Sequence, residues 1–474
     1  MKRLMTLIAA ITILMNMAAC TPDTNATADK AGNMGTKPGI DTQGPTSDTS
    51  ASPSLNIYYL TFADYVHNAI SEFKSKYKDV IVKEKNYQLT SDAEFSKSLS
   101  LELLTGRGPD VVICNPLRDL DSINKVFSAE AFADLNEFIS KDDNFELADY
   151  NSQVINAGVF NGRREFVPLY FSRQLIYTTE SILEKNNIDI NDNCTLEELT
   201  DIVGSLLKNK EGKSKYLFNS EMDFYLLMNF YGNNLLNYED KKSNFYSSEF
   251  KELLKLYKSM KELIAPVEVE EKYNYSLSSL LKNNIIALYI DNYSTATSLY
   301  MRNCFISRAM CEDTKIITAS EDVNKVRPVL VDIAAINNNC RNKEYAYEFI
   351  KILLSEKIQR SSYSKDSLNT FYNPVNIEAF RNDITKMAGQ EQNRGCLVEY
   401  SSSGNLKTVQ GMPLSELLAR RLTDVNHNMA EPFIIDKSVK EVIDEALKGY
   451  LSGKNNEDQT AKVINDKVEL FLNE

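Results

Sequence analysis

The chain has 474 residues, of which 43% are hydrophobic and 25% charged, and this ordinary globular composition excludes a collagen-like, a disordered or a polytopic membrane protein. Its length predicts two or three domains. The formal net charge of −13 argues against electrostatic binding of nucleic acid, because that requires clustered Lys and Arg side chains on the phosphates.

The first twenty residues are typical of a bacterial lipoprotein signal peptide. Lys2 and Arg3 give a positive start, an apolar stretch runs to about Met17, and two alanines precede Cys20. This apolar stretch is too short to span a membrane as a helix. The Ala-Ala-Cys ending resembles a lipobox, with Met17 where Leu is usual, and a plain signal peptide is the alternative. We predict a signal peptide over 1–19 and a lipid on Cys20, which becomes the mature N-terminus.

Residues 20–54 are predicted to form a disordered tether. Thr, Ser, Pro, Gly, Asp and Ala dominate this segment. Such a composition cannot bury enough apolar surface to offset the entropy of ordering the chain. A flexible coil of this length spans on the order of 30 Å. We therefore expect a globular body held by a lipid anchor at the outer face of the cell membrane.

Strand-like and helix-like segments alternate at the start of the body. The predicted elements are a strand at 55–60, a helix at 65–77, a strand at 80–82, a capped helix from 91 and a buried strand at 111–114. Strands that alternate with helices at this spacing pair in parallel. The sequence therefore predicts an α/β sheet.

The rest of the body continues as a mixture of helices and strands. The predicted elements are extended runs at 166–170 and 175–177, a capped helix from 195, helices between 224 and 264, strands at 285–290 and 329–336, a helix at 341–361 and two helices within 438–474. No repeat of 20–50 residues is visible, which argues against solenoids and propellers.

Eight short segments of the body follow the order of motifs in one known family. Glu72-Phe73 followed by Tyr77-Lys78-Asp79-Val80 is close to the pattern EF-x-x-x-YPDI, with Lys78 in place of Pro. The other segments lie at 104–112, 133–139, 161–168, 195–199, 346–356, 374–375 and 459–474. Together they resemble the extracellular solute-binding proteins (family 1) of ABC importers, the group that includes maltose-binding protein.

The resemblance implies an α/β fold of the two-lobe periplasmic-binding-protein type (type II), with an interlobe cleft and hinge crossovers. The implied lobes are 55–167 plus 333–368 for lobe one and 168–332 plus 369–474 for lobe two. A small-molecule solute binds in the cleft, and the lobes close on it about the hinge. The closed form would then dock on ABC permease subunits in the membrane. We expect a monomer without cofactor or metal.

Candidate ligand-binding residues follow from the rule that ligands of open α/β sheets lie beyond the carboxyl ends of strands. The resemblance adds one cleft aromatic, Tyr231. The full set is Asp64, Tyr65, Asn115, Tyr170, Arg173, Tyr231, Asp291, Tyr293 and Asp332. Tyr rings can stack on a sugar, and Asp or Asn can fix its hydroxyl groups.

Each of these assignments has a structural alternative. Arg173 could clamp a hydroxyl pair or a carboxylate, or instead form a surface or inter-lobe ion pair. Core packing is the alternative for the tyrosines, and a hinge hydrogen bond is the alternative for Asp332.

The favoured function is capture of an extracellular solute for an ABC importer, with a carbohydrate or oligosaccharide favoured by the family resemblance. The absence of Trp and the acidic body leave polyamines and peptides as other ligands. Two other functions remain open: a sensory binding protein for a membrane receptor, and a secreted carbohydrate-active enzyme. The sequence contains no nucleophile motif, metal-ligand cluster or Gly-rich phosphate loop to support an enzyme, and only two histidines.

Six cysteines follow Cys20, and their spacing contains no C-x-x-C motif. This disfavours a zinc site. Cys304 and Cys311 are the nearest candidates for a disulfide, and buried free thiols are the alternative.

Overall fold

The computed structural model of the protein describes nine stretches of the chain: 52–61, 64–87, 92–209, 213–232, 234–321, 325–360, 372–388, 396–400 and 406–473. The predicted signal peptide at 1–19, the lipidation site Cys20 and the predicted tether as far as residue 51 lie outside the described residues. Within the nine stretches, no helix combines the length and the apolar character that a membrane crossing needs.

The described chain opens with alternating strands and helices. They are β1 (Ser54–Tyr59), α1 (Asp64–Lys76), β2 (Ile81–Asn86), α2 (Asp92–Leu104) and β3 (Val111–Cys114). β1 lies between β2 and β3 and pairs with both in parallel. The predicted parallel α/β arrangement is therefore confirmed for this part. Its first strand begins at Ser54, the last residue of the predicted tether.

Short elements lead from β3 to the longest strand. They are α3 (Pro116–Asp119), α4 (Ile123–Ser128), α5 (Asn136–Ile139), α6 (Ser152–Ile155), β4 (Val159–Phe160), β5 (Arg163–Arg164) and β6 (Val167–Thr178). The extended runs predicted at 166–170 and 175–177 form one strand of 12 residues, β6. Ser172, Arg173 and Gln174 continue the extended backbone between the two runs, so a single strand crosses this region.

Helices dominate the next part. The elements are α7 (Glu180–Asn186), β7 (Asn193–Cys194), α8 (Leu196–Lys208), β8 (Tyr216–Phe218), α9 (Phe224–Tyr231), β9 (Leu236–Asn237), β10 (Lys242–Ser243), α10 (Ser248–Met260), α11 (Val267–Glu271), α12 (Leu277–Lys282), β11 (Ile286–Ser294), α13 (Ala296–Met310) and β12 (Lys315–Ala319). The predicted capping box of α8 is confirmed. The Glu198 amide donates to Thr195 Oγ1 at 3.2 Å, and the Thr195 amide donates to the Glu198 carboxylate at 2.9 Å. These bonds satisfy amide groups that lack a partner at a helix start.

The last part returns to the sheet and then ends in helices. The elements are β13 (Val329–Ile336), α14 (Lys343–Leu354), α15 (Glu356–Arg360), β14 (Asn373–Pro374), α16 (Ile377–Ala388), β15 (Cys396–Tyr400), β16 (Leu406–Gln410), α17 (Glu416–His427), α18 (Lys437–Leu451) and α19 (Glu457–Asn473). The single helix predicted at 341–361 is wrong, because Ser355 has an extended backbone and separates α14 from α15.

One sheet joins most of these strands. Its main path runs β2, β1, β3, β13, β6, β11, β8. β13 is antiparallel to both β3 and β6, and β11 is antiparallel to β6 and parallel to β8. β6 therefore pairs with β13 near its start and with β11 near its end, so it connects two halves of the sheet.

The buried apolar side chains form two separate cores. We call the first lobe the elements packed on the core that runs from Leu55 to Phe171 and returns at 330–358. The second lobe packs on the core that begins at Leu175 and includes the carboxyl-terminal helices. β6 passes from one core to the other between Phe171 and Leu175. Met429 also lies in the first core, although α17 and α18 on either side of it pack in the second.

Candidate functional site

A buried carboxylate lies at the edge of the first-lobe sheet where the parallel strands end. Asp332 of β13 is 3% exposed, and its Oδ2 atom accepts hydrogen bonds from Thr61 Oγ1 at 2.7 Å and from the Tyr65 hydroxyl at 2.9 Å. Burial raises the pKa of Asp332 to about 6, while the two hydrogen bonds oppose the increase. The Tyr65 ring meets the Tyr170 ring edge-on, with centroids 4.9 Å apart. Three predicted site residues thus share one cluster with Thr61.

An ion pair flanks this cluster. Arg118 donates to both carboxylate oxygens of Asp119, from Nε at 2.6 Å and from Nη2 at 2.9 Å. It also donates to the backbone oxygen of Leu60 at the end of β1, at 3.0 Å. Asn115 caps α3, because its Oδ1 accepts from the Leu117 and Arg118 amides at 3.0 and 3.1 Å. The predicted residue Asn115 therefore positions the ion pair through this cap.

A second polar cluster lies at the carboxyl ends of β8 and β11 in the second lobe. Asp291 is 8% exposed and is 3.5 Å from Arg302 Nε, and the Arg302 guanidinium lies 5.2 Å from the centre of the Tyr289 ring. Asn292 donates to the Glu221 carboxylate at 2.8 Å. Burial raises the pKa of Glu221, and the nearby Asp291 charge raises it further.

Strand β6 runs beside both clusters. Asp332 is opposite Tyr170 in the sheet register, and Asp291 is opposite Leu175. Five residues of extended chain span about 17 Å. This is the separation, along the backbone of β6, of the two register positions beside which the clusters lie.

Arg173 lies on β6 between the two clusters and is 0% exposed. Its Nη2 atom is 3.4 Å from Asn373 Oδ1, and its guanidinium lies 5.4 Å from the centre of the Phe380 ring. Burial lowers the pKa of Arg173 to about 10. The surface position considered from the sequence is wrong, because the side chain is completely buried.

The remaining predicted residues lie apart from these clusters. Asp64 is exposed at the first residue of α1. Tyr231 is buried in the second core, and its hydroxyl donates to the backbone oxygen of Cys194 at 3.0 Å. Tyr293 belongs to β11, but its side chain lies outside the described residues. These three remain predictions as ligand-binding residues, and the Tyr231 hydroxyl already has a partner in the core.

Four important residues of the clusters were missed by the sequence reasoning: Thr61, Arg118, Glu221 and Arg302. Glu221 could have been predicted from the sequence, because it follows the short strand β8 by three residues and so lies beyond the carboxyl end of a strand. Arg302 has no such signal. It lies in the middle of α13 and reaches Asp291 only through tertiary packing.

Neither a metal cluster nor a disulfide is found in the described part of the chain. No group of three or more His, Cys, Asp or Glu side chains there could hold a metal ion. Cys304 is buried, Cys311 is exposed, and both are free thiols, so the candidate disulfide between them does not form.

The fold is shared with solved structures of sugar-binding proteins. The sugar-binding protein MalE of Xanthomonas citri has a TM-score of 0.63 at 13% identity, over 89% of this chain and 97% of that one. The ABC substrate-binding protein Lmo0181 of Listeria monocytogenes, in complex with cycloalternan, has a TM-score of 0.58 at 12% identity, over 89% and 99%. Maltose-bound MalE3 of T. maritima has a TM-score of 0.55 at 16% identity, over 88% and 99%. The predicted two-lobe periplasmic-binding fold is thereby confirmed.

The sequence itself points to the same group. No curated protein matches the chain. The sequence pattern of the bacterial extracellular solute-binding proteins, however, matches residues 53–360, which is more than half of the chain. Both the order of the sequence motifs and the arrangement of two α/β lobes about β6 agree with that match. The chain belongs to the bacterial extracellular solute-binding protein family.

Proposed function

We propose that this protein captures an oligosaccharide between its two lobes and delivers it to an ABC importer. The observation that carries the proposal is the pair of polar clusters, one in each lobe, beside register positions about 17 Å apart along the backbone of β6. Similar proteins support a saccharide, since one is described in complex with cycloalternan and another with maltose.

The chemistry of the clusters suits a polyhydroxylated ligand. Asp332 in the first lobe, together with Glu221 and Asp291 in the second, offers carboxylate oxygens that accept hydrogen bonds from hydroxyl groups. Hydrogen bonds to charged groups contribute about 1.5–3 kcal/mol each. Micromolar affinity requires about 8 kcal/mol, so three to five such bonds across the two lobes supply it.

Closure follows from the distribution of these contacts. A ligand shifts the equilibrium towards the closed form only by contacts that the open form cannot make at the same time. Tyr65 and Tyr170 of the Asp332 cluster belong to the first core, and Tyr289 beside Arg302 packs against the second. A bound saccharide that reaches both therefore favours closure, and the closed form is the one that we expect the permease to recognise.

The proposal places the protein at the outer face of the cell membrane. The lipobox-like ending at Cys20 supports a lipid anchor, and the composition of residues 20–54 supports a flexible tether to the folded lobes. Membership of an extracellular solute-binding family agrees with this location.

Thermal unfolding of the purified full chain in the presence of neutral oligosaccharides tests the proposal. A ligand at 100 times its Kd adds about 2.7 kcal/mol to the stability, which raises the Tm by about 5 °C or more. The same compound should be recovered unchanged and should raise the Tm less in Asp332→Asn, whose amide oxygen accepts more weakly than the carboxylate. Asp201→Asn, a substitution at an exposed residue of α8, is the control and should behave like the wild type. Hydrolysis of the compound would instead support an enzyme.

A further inference from the structure

Arg173 is a buried cation whose hydrogen-bonding capacity is largely unused. A guanidinium carries five N–H donors. Among the described residues, only Nη2 has an acceptor, Asn373 Oδ1, at 3.4 Å, which is longer than the usual range of about 2.7–3.2 Å. Nε and Nη1 are buried and have no hydrogen-bond partner in the part of the chain that the structure describes. No described acidic side chain forms an ion pair with Arg173 either.

Arg164 shows how this chain satisfies a buried arginine that has a structural role. Arg164 is 3% exposed, and all three of its guanidinium nitrogens have acceptors. Nε donates to Asn136 Oδ1 at 3.1 Å, Nη1 to the backbone oxygen of Ile155, and Nη2 to Asn156 Oδ1 at 3.0 Å. The unused nitrogens of Arg173 are therefore not a general feature of buried arginines in this protein.

The surroundings of Arg173 point to a ligand between the lobes. Arg173 is opposite Ser294 of β11, and its neighbour Ser172 is opposite Val329 of β13, so the pair lies where β6 leaves one core and enters the other. Donors of the Arg173 guanidinium are thus left for acceptor atoms that the described protein does not supply.

The nearby acidic side chains are bonded to groups other than Arg173. Asp332 is bonded to the hydroxyl groups of its own cluster, Asp291 faces Arg302, and Glu221 accepts from an Asn292 amide. A planar guanidinium matches the two oxygens of a carboxylate in a bidentate pair. An anionic group with two oxygens would therefore complement the unused donors of Arg173.

We propose that the ligand is an acidic oligosaccharide of the uronate type, and that Arg173 binds its carboxylate. This inference rests on the proposed function and names the ligand class of the same cleft. Because Arg173 is completely buried, the ligand enters while the lobes are apart and is enclosed when they close about β6. The carboxylate accepts from the free N–H groups of Arg173, while the sugar hydroxyl groups donate to the carboxylates of the two clusters.

The first test needs no ligand and compares Arg173→Met with Arg164→Met in the full chain. An unpaired buried charge costs stability, and its removal in favour of an apolar side chain of similar volume is often neutral or stabilising. The Tm of Arg173→Met should equal or exceed the Tm of the wild type, while Arg164→Met should unfold at a lower temperature because it leaves several acceptors without a donor. A loss of stability in Arg173→Met as large as that in Arg164→Met would show a structural role and overturn the proposal.

The second test uses matched pairs of acidic and neutral sugars: digalacturonate with galactobiose, and cellobiouronate with cellobiose. An acidic member should raise the wild-type Tm by about 5 °C or more, and its neutral counterpart should raise it less. Affinity for the acidic member, measured by calorimetry, should fall by about 30-fold or more in Arg173→Met.

Any other result of the second test contradicts the uronate proposal. Stabilisation by the neutral sugars with no effect of the acidic ones would overturn the uronate assignment and leave the proposed function intact. Stabilisation by glucose 6-phosphate without an effect of the uronates would show that Arg173 binds a phosphate group. Failure of every sugar would contradict the proposed function as well.

Discussion

Removal of the charge at Asp332 should change how stability depends on pH. The carboxyl has an ordinary pKa of 3.8, and burial raises it to about 6 in the folded protein. The folded state therefore binds a proton more tightly than the unfolded state. Protonation of Asp332 therefore begins to stabilise the folded protein as the pH falls through 6, and this stabilisation is complete below pH 3.8. At neutral pH the ionised side chain costs about 3 kcal/mol, from about two pKa units at 1.36 kcal/mol each.

Asp332→Asn avoids this cost and keeps an acceptor for the two hydroxyl groups. The amide oxygen can still accept from Thr61 and Tyr65, although neutral hydrogen bonds are weaker by about 1 kcal/mol than those to a carboxylate. We expect a net gain of about 1–2 kcal/mol at pH 8, which raises the Tm by about 2–8 °C. The gain should shrink as the pH falls through 6 and be lost by about pH 4.5, because the folded wild type takes up a proton that the unfolded chain does not.

The measurement is the Tm of the wild type, Asp332→Asn and the exposed control Asp201→Asn between pH 4.5 and 8. The control should follow the wild type across the whole range. A constant loss of stability in Asp332→Asn at every pH would refute the reasoning, because it would mean that the ionised carboxylate stabilises the fold.

Three further substitutions test other parts of the description. Cys20→Ser should abolish incorporation of labelled palmitate and release the protein from the membrane fraction. Tyr231→Phe should lower stability by about 1 kcal/mol in urea unfolding, through loss of the bond to the Cys194 oxygen, without a change in ligand affinity; weaker binding would place the hydroxyl in the cleft. Gly158→Ala should lower the Tm strongly, because a Cβ there would lie 1.9 Å from the Phe166 backbone oxygen.

The first-lobe cluster was largely predictable because strand order determines it. Tyr65, Tyr170 and Asp332 were selected only because each lies close to the carboxyl end of a strand or within a crossing strand. The structure brings them together because parallel strands end at the same edge and β13 returns beside β6. Whether they bind ligand stays a prediction.

The ion pair and the second cluster depend on information that strand order does not contain. Arg118 reaches the Leu60 oxygen only because Asn115 caps a helix of one turn and sets its direction. Arg302 is one of several polar residues on α13, and the angle at which that helix packs on the sheet decides which of them meets Asp291. Helix packing angles vary by 15–20° about their preferred values, which is enough to exchange one residue for another.

Strand β6 is one of the segments that cross between the two lobes, and it lies beside both polar clusters. The backbone of β6 pairs with Asp332 through Tyr170 and with Asp291 through Leu175, and Arg173 lies between them. A rotation of one lobe relative to the other must therefore change the backbone angles of the few residues between Phe171 and Leu175. A ligand bound to one cluster alone leaves these angles free and gains nothing from closure. A ligand that spans both clusters and pairs with Arg173 restrains all three points on one strand, so its binding energy is available to favour the closed form.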